Sequence, residues 1–255
     1  MVAHLLEAHG PVLAVSPHLD DAVLSVGATL AAFVAAGRPV TVLTVFAGDP
    51  GPALSPVARR HHARCGLGAD AVERRRAEDR AALSGLGADL RHGALADAVY
   101  RRRPDGGWVC IEDGQLFEPP PPDPALDEAV TELIGQALEE TRSGLLLGPA
   151  GFGGHVDHVL VARAVARCAR ERLVPTWWWR DQPYSASSAA VPEGTGGVLV
   201  PFTPASLAAK LAAVGFYASQ VPMLWPGGED WRGMLSAPGP SGEPGEAFEP
   251  HPAAS

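Results

Sequence analysis

The chain has 255 residues, of which 46% are hydrophobic and 19% are charged, which is typical of a globular protein with a sizeable core. Its formal net charge of −9 argues against a nucleic-acid partner, because binding phosphates requires clustered Lys and Arg. No apolar run is long enough to span a membrane, and the first residues lack the pattern of a signal peptide. The three cysteines have no paired spacing, so we expect a reducing, cytoplasmic location and no disulfide framework.

The first 46 residues predict a strand, a helix and a second strand. Val12–Ser16 is short, apolar and flanked by Pro, which is typical of a buried strand. Residues 21–36 place apolar side chains at helical spacing, and Gly37 can end that helix. Residues 39–46 are strongly β-branched. A strand, a helix and a strand joined by short connections predict a parallel sheet with right-handed crossovers.

The rest of the chain continues the same alternation of helices and strands. The predicted helices are 70–87 with Asp70 as its N-cap, 123–141, one that starts near His158 and runs through Cys168 or beyond, and Pro204–Val214. The predicted strands are 89–92, 144–148, 174–179 and Val198–Pro201. The Gly- and Pro-rich stretch 101–123 predicts a long surface loop, a candidate lid. We expect one α/β domain over residues 1–235 and a mobile tail, rich in Pro, Gly and Ser, over 236–255.

Two clusters of polar residues each follow a predicted buried strand. Ser16-Pro-His-Leu-Asp-Asp21 follows the first strand, and His155-Val-Asp-His158 follows the strand at 144–148. Charged groups beside a core cost free energy unless they are paired, hydrogen-bonded or bound to a metal. Ligands of open α/β sheets bind outside the carboxyl ends of the strands. We therefore expect both clusters on one rim of the sheet.

The side chains in these clusters predict a hydrolytic metal centre. His18 and Asp21 are three residues apart at the start of a helix, so both can reach one point. With His158 they would form the His2Asp set of a catalytic zinc site with an open position, and iron(II) suits the same ligands. Such a metal lowers the pKa of bound water towards about 7. Asp20, beside these ligands, is the candidate general base.

The remaining side chains of the second cluster have candidate roles as well. His155, if protonated, would stabilise an oxyanion or protonate a leaving group, and Asp157 is placed to orient one of the imidazoles. Each cluster alone also fits a polar helix N-terminus without a metal. The chain lacks a Gly-x-Ser-x-Gly elbow, and its first strand–helix turn lacks Gly-x-Gly-x-x-Gly. These absences argue against a serine hydrolase and against a dinucleotide-binding protein.

Four motifs in order resemble those of the PIG-L/LmbE-like N-acetylglucosaminyl deacetylases. Pro17-His-Leu-Asp-Asp21 resembles the His-Pro-Asp-Asp-Glu signature of the family, and His155-Val-Asp-His158 matches its second motif. Arg75-Arg-Ala-Glu78 resembles the Arg-x-x-Glu helix, and Lys210 with Ser219-Gln220 resembles a C-terminal Lys and Ser-Gln pattern. Together the matches cover residues 11 to 220.

The resemblance implies a Rossmann-like α/β fold and zinc-dependent removal of an acyl group, usually acetyl, from an amino sugar or its conjugate. It makes His18, Asp21 and His158 the metal ligands and Asp20 the general base. His155 would be the electrophilic or acid partner, supported by Asp157.

The same resemblance implies two substrate-binding residues. Arg75 would lie on the substrate side, and Tyr184 in Gln182-Pro-Tyr-Ser185 would match a tyrosine of the substrate pocket. Alternatively, Tyr184 is an aromatic residue of a loop that only packs against its neighbours. Leu19 and Ala22 stand where the family has Pro and Glu. Neither is a predicted ligand, so this departure suggests a substrate other than the most familiar ones.

The function predicted from these patterns is that of a metal-dependent amidohydrolase. Its partner would be a small N-acyl amine, most simply an N-acetyl amino sugar or a natural product that contains one. An amidase for a non-sugar amide, such as a thiol conjugate, is one alternative, and a metal-binding homologue without turnover is another. Asp20 favours an enzyme, because a binding protein needs no base beside its ligand set.

Overall fold

The two strands that precede the polar clusters lie side by side at the centre of a seven-stranded sheet. In this computed structural model, which describes residues 9–119, 122–184, 197–237 and 244–250, β1 (Val12–Ser16) pairs in parallel with β2 (Val40–Thr44) and with β4 (Leu145–Pro149). The other strands are β3 (Asp89–His92), β5 (Thr176–Trp179), β6 (Val198–Pro201) and β7 (Gly245–Glu249). Their order is β3-β2-β1-β4-β5-β7-β6, and β7 runs antiparallel to both of its neighbours. The predicted mostly parallel sheet is confirmed.

Helices cover both faces of this sheet. On one face pack α1 (Asp21–Ala35), α3 (Ala71–Leu86) and α6 (Pro204–Val214), and on the other pack α4 (Pro124–Thr141) and α5 (Val156–Arg172). The side chains of β1 alternate between them: Val12 and Ala14 join the first core, and Leu13 and Val15 the second. A strand buried on both faces needs a continuous apolar run, which is what this sequence has. The single α/β domain is therefore as predicted.

One predicted helix cap is wrong. Asp123 caps α4 as its position suggests, with its carboxylate accepting the N–H of Leu126 at 3.1 Å. Asp70 precedes α3, but its side chain makes no capping hydrogen bond. Its backbone has φ −87° and ψ 13°, whereas a capping residue needs an extended conformation to turn its side chain back onto the helix.

Other elements were not predicted from the sequence. The helix α2 (Pro56–Arg64) is short and strongly polar, so it has no extended apolar periodicity to reveal it. Two further short helices, α7 (Val221–Leu224) and α8 (Trp231–Ser236), follow α6. Within the described ranges, no helix is both long and apolar enough to cross a membrane.

The prediction of a mobile tail over 236–255 is wrong for residues 245–249. They form β7, which lies between β5 and β6 and buries Phe248 completely. The surrounding Pro and Gly residues obscured a strand of only five residues. Residues 238–243 and 251–255 lie outside the described residues, so the prediction is not tested there.

Strand β7 also supports the helix that carries the first polar cluster. Helix α1 leaves helical geometry at Val26, where φ is −134° and ψ is 19°. Just beyond this break, the N–H groups of Ala28 and Thr29 donate to the two oxygens of Glu246, at 3.0 and 2.7 Å. Lys210 pairs with the same carboxylate at 2.7 Å, and both charged side chains are buried. The carboxylate of Glu246 therefore accepts hydrogen bonds from backbone N–H groups in the middle of α1, and Lys210 neutralises its charge.

We expect Glu246→Gln to lower the free energy of unfolding by about 3–5 kcal/mol, because it leaves Lys210 buried without a counter-ion. Chemical denaturation measures this loss, and adding Lys210→Met should recover part of it by removing the unpaired charge. Glu171→Ala breaks an exposed Arg167 pair and serves as the control that changes stability little. Unchanged stability of the Glu246→Gln protein would show that the buried pair has no such role.

Candidate metal centre

The two polar clusters meet where β1 and β4 end. The hydroxyl of Ser16 fixes the first cluster, because it donates to the carbonyl of His18 at 2.7 Å and accepts the N–H of Ala22 at 3.0 Å. The second cluster begins where the loop after β4 enters α5. There Nδ1 of His155 accepts the N–H of Asp157 at 3.2 Å and caps the helix. Neighbouring parallel strands thus bring the two clusters together on one rim, as predicted.

The carboxylate of Asp21 lies between two imidazoles. Its Oδ2 atom is 3.2 Å from Nδ1 of His18 and 3.2 Å from Nε2 of His158, and all three side chains are buried. Burial alone would raise the pKa of Asp21, but the two imidazoles, His158 first, outweigh it and hold that pKa well below its usual range. The carboxylate of Asp21 therefore contacts both of the other predicted ligands.

His158 is held in place by Asp181, a residue that sequence reasoning did not identify. Nδ1 of His158 contacts Oδ1 of Asp181 at 2.7 Å. Oδ2 of Asp181 accepts the N–H groups of Gly151 and Phe152, each at 2.9 Å. Asp181 is fully buried and follows β5, so one carboxylate ties the imidazole to the loop between β4 and α5.

The surroundings of His158 fit a cation. Its Nε2 atom is buried without a hydrogen-bond partner among the described residues, since the contact with Asp21 lacks hydrogen-bond alignment. Burial lowers the pKa of His158, but the carboxylates of Asp21 and Asp181 outweigh it and raise that pKa to about 10. The site thus stabilises positive charge in the interior. Two imidazoles and a carboxylate are also the ligand types that zinc and related divalent metals prefer.

His155 is buried beside His18, with ring centroids 5.0 Å apart. Burial, and then the positive charges of His18 and His158, lower the pKa of His155 to about 3, which favours a neutral imidazole over the protonated one considered from the sequence. Because Nδ1 accepts the N–H of Asp157, the hydrogen of the neutral ring belongs on Nε2. The ring borders the same cavity as His18 and Asp21.

Asp157 orients a different imidazole from the one expected by resemblance. Its Oδ2 atom is 3.1 Å from Nε2 of His18 and accepts the N–H of Ala98 at 2.9 Å, while Oδ1 accepts from Arg101. Burial would raise the pKa of Asp157, but Arg101 and then His18 outweigh it and keep the carboxylate ionised. Its hydrogen bond with His155 is made by the backbone N–H, whereas the carboxylate contacts His18, Ala98 and Arg101.

Asp20 and Arg75 lie beside the predicted ligands. Asp20 is buried, with Oδ2 3.7 Å from Nη2 of Arg75. Burial, together with the charge of Asp21, raises the pKa of Asp20 to about 7, although Arg75 and His18 oppose this shift. Nε of Arg75 is buried and makes no hydrogen bond to any described residue. A carboxyl group that titrates near neutral pH therefore adjoins the predicted ligand set.

A cavity of about 260 Å³ is bordered by side chains of both clusters and of α3, namely His18, Asp20, Asp21, Arg75 and His155. Tyr184, the second predicted substrate residue, lines it with its ring 5.5 Å from the ring of His158. Burial and then the nearby carboxylates, Asp21 first, raise the pKa of Tyr184, so its hydroxyl stays protonated. Phe117, from the predicted loop 101–123, also lines the cavity, with its ring 5.8 Å from the ring of Tyr184. That loop thus forms part of the cavity wall.

Two further residues of the site were missed by sequence reasoning. Asp97 lines the cavity with Oδ2 3.7 Å from Nε2 of His18, and Arg101 neutralises Asp157. Both follow β3 along the chain, at the sheet edge where the predicted clusters lie. Lone polar residues in a loop gave no motif, although their place after a predicted strand was an available signal.

The weaker motif matches also meet in the structure. Glu78 of α3 accepts the N–H and the hydroxyl of Ser219, at 2.9 and 2.6 Å. Gln220 donates to that hydroxyl at 2.8 Å and lines the cavity. The helix that bears Arg75 is thus tied to the segment after α6.

The sequence profile of the PIG-L family, described as GlcNAc-PI de-N-acetylase, matches residues 13–169 of this chain. A 2'-N-acetylparomamine deacetylase of Streptomyces fradiae is 37% identical over 186 residues, which are 71% of this chain and 60% of that protein. The chain therefore spans less than two thirds of the length of this curated relative.

Solved structures resemble this chain over nearly its whole length. The zinc-inhibited form of the teicoplanin deacetylase Orf2 has a TM-score of 0.83 and 35% identity, covering 94% of this chain and 97% of that one. The A40926 pseudoaglycone deacetylase Dbv21 has a TM-score of 0.78 and 38% identity, covering 96% of this chain and 99% of that one. With both motifs inside the matched residues, the chain belongs to the PIG-L family.

Proposed function

We propose that this protein is a metal-dependent amidohydrolase that removes an acyl group, most simply acetyl, from an amino sugar or from a natural product that contains one. The observation that carries this proposal is the Asp21 carboxylate held between His18 and His158, with the buried carboxyl of Asp20 beside it in the same cavity. The names of its relatives support it, since they describe deacetylases of 2'-N-acetylparomamine, of teicoplanin and of the A40926 pseudoaglycone.

His18, Asp21 and His158 are the proposed ligands of one divalent cation, zinc or iron(II). Two alternative sets exist, since ligand atoms lie within 4.8 Å of one another in His18, His155 and His158, and also in His18, Asp97 and Asp157. We favour Asp21, since it contacts both imidazoles and brings a negative charge, whereas Nδ1 of His155 is committed to the helix cap. A bound cation would polarise the acyl carbonyl and make an attacking water more acidic.

Asp20 is the proposed general base and then the proton carrier. Its ionised carboxylate accepts a proton from the attacking water as the C–O bond forms, and returns that proton to the departing amine as the C–N bond breaks. Its position beside Asp21 in the cavity suits both steps, because the water and the amine would lie at the same metal. Arg75 would favour the ionised form of Asp20 and border the substrate, which Tyr184 would also contact.

His155 is proposed to act as a neutral hydrogen-bond donor. With Nδ1 occupied by the N–H of Asp157, Nε2–H remains available to the oxyanion of the tetrahedral intermediate. Asp157 is proposed to orient His18, as a carboxylate behind a metal-binding imidazole commonly does.

The three cysteines are free, which supports a reducing compartment such as the cytoplasm.

The test of this function is amine release by the purified, metal-loaded protein from a panel of N-acetyl amino sugars, acetylated aminoglycosides and glycopeptides, and N-acylated thiol conjugates.

Asp20→Asn is nearly isosteric but cannot accept a proton, so we expect turnover to fall about 10²- to 10⁴-fold with metal content unchanged. Activity of the wild type should decrease as pH falls through the pKa of Asp20, because the ionised form is the base. Full activity of the Asp20→Asn protein would contradict the role of Asp20 as general base. Amine release from thiol conjugates alone would contradict an amino-sugar substrate and favour the non-sugar amidase.

Asp181→Asn tests whether this carboxylate positions His158 for metal binding. An amide cannot accept from both Nδ1–H of His158 and the two N–H groups of Gly151 and Phe152, so the ring loses its fixed tautomer. We expect the metal dissociation constant, measured by chelator competition, to rise about 10- to 100-fold. Asp89→Asn, at the exposed amino end of β3, is the matched control. Unchanged affinity in Asp181→Asn would contradict this role.

His155→Asn separates helix capping from chemistry. Asn is a good N-cap but is too short to place a donor in the cavity. We expect kcat to fall about 10²- to 10³-fold, with KM and metal content nearly unchanged, as for a donor used mainly in the transition state. Because the pKa of His155 is lowered to about 3, its titration should give no alkaline limb in the pH profile of the wild type. An alkaline limb that disappears in His155→Asn, or loss of metal, would contradict the neutral-donor role.

A further inference from the structure

Helix α2 carries an unusual concentration of basic side chains for a chain of net charge −9. Five of the six residues at positions 59–64 are Arg or His. They do not all face the same way. Arg59 donates to the carbonyl of Leu54, and His62 is buried against the hydroxyl of Tyr100 at 2.7 Å. His61 and Arg64 line the cavity that holds the candidate metal centre.

The carboxylate of Asp113 contacts three of these basic side chains, those of Arg60, His61 and Arg64, which form the basic face of α2. Oδ1 of Asp113 is 2.7 Å from Nε2 of His61, and Oδ2 is 3.1 Å from Nη2 of Arg64 and 3.9 Å from Nε of Arg60. Arg60 also donates to the carbonyl of Ile111. Asp113 belongs to the loop that forms the cavity wall, and its side chain is 39% exposed. Each oxygen of the carboxylate therefore has its own donor, and basic groups outnumber the acid.

The position of Asp113 shows that this face accepts a carboxylate. Partly exposed ion pairs of this kind are individually weak, so a competing anion could displace the side chain at little cost. The cavity that His61 and Arg64 line also contains the carboxyl groups of Asp20 and Asp21. A substrate with an amide at one end and an acid at the other would match this distribution of charge.

We propose that His61 and Arg64, with Arg60 behind them, form a subsite for a carboxylate or similar anionic group of the substrate, and that Asp113 occupies it when no substrate is bound. The subsite rests on the proposed amidohydrolase function, of which it is the specificity determinant. It selects acylated amines that also carry an acid group. In the competing account, Asp113 only latches its loop to α2 and contributes nothing to selectivity.

The probes are N-acetylated ω-amino acids of increasing chain length and the neutral primary amides of the same acids. Affinity is measured by calorimetry on the metal-loaded protein, and kcat/KM by amine release. At the chain length that spans the cavity we expect the acid to exceed its amide about three- to tenfold in affinity, because it gains charge-assisted hydrogen bonds. That preference should shrink between about 0.05 and 0.5 M salt.

Three variants decide between the subsite and the latch. Arg64→Gln should bring the acid-to-amide ratio close to one, and Arg59→Gln, on the same helix but bonded to Leu54, should leave the ratio unchanged. Asp113→Asn should raise the ratio, because it removes the internal competitor. A latch predicts instead that Asp113→Asn and Arg64→Gln weaken acid and amide alike.

Equal affinity for acid and amide at every chain length, in both the wild type and Asp113→Asn, would overturn the subsite. Calorimetry needs no turnover, so the two proposals fail separately. A preference for acids without amine release would sustain the subsite and contradict the amidohydrolase function. Amine release without any such preference would sustain the function and contradict the subsite.

Discussion

Burying a carboxylate beside the end of a central strand is costly unless other groups compensate its charge, and Asp21 is compensated by two imidazoles from different parts of the chain. His18 comes from the turn after β1, and His158 from the first turn of α5 after β4. The contact is possible only because β1 and β4 are neighbours in a parallel sheet, so that their carboxyl ends meet. The Oδ2 atom of Asp21 thus contacts side chains that follow two neighbouring strands, so the geometry of the candidate site depends on the strand order.

A second layer of fixed groups surrounds this contact. Asp181 holds His158 and the loop after β4, and Asp157 holds His18 while Arg101 neutralises it. Each of these carboxylates has hydrogen-bond donors for both oxygens, which makes their burial tolerable and restricts the imidazoles. Asp20 differs, because its charge is opposed by a longer contact with Arg75, at 3.7 Å, and by His18, and its pKa is raised. A carboxyl group that is compensated so loosely is suited to exchange protons.

The sequence predicted most of this architecture, because β-branched runs and helical apolar spacing report local burial directly. It also predicted the convergence of His18, Asp21 and His158, since polar residues after two buried strands have few other places to lie. Contacts that depend on tertiary geometry could not be predicted. Asp157 turns to His18 and not to His155, and β7 enters the sheet from a Pro- and Gly-rich segment. The surroundings of His155 could not be predicted for a related reason, since burial and a backbone N–H favour its neutral form.

The central claim is that one divalent cation is held by His18, Asp21 and His158. Anomalous diffraction from crystals of the zinc- or iron-loaded protein, recorded at the absorption edge of the metal, tests it most directly. The account predicts one strong peak within ~2.0–2.3 Å of a nitrogen of each of these histidines and of a carboxylate oxygen of Asp21. His155 should not contact the metal. A peak bonded to His155 in place of Asp21, or one between Asp97 and Asp157, would contradict the ligand set and the mechanism built on it.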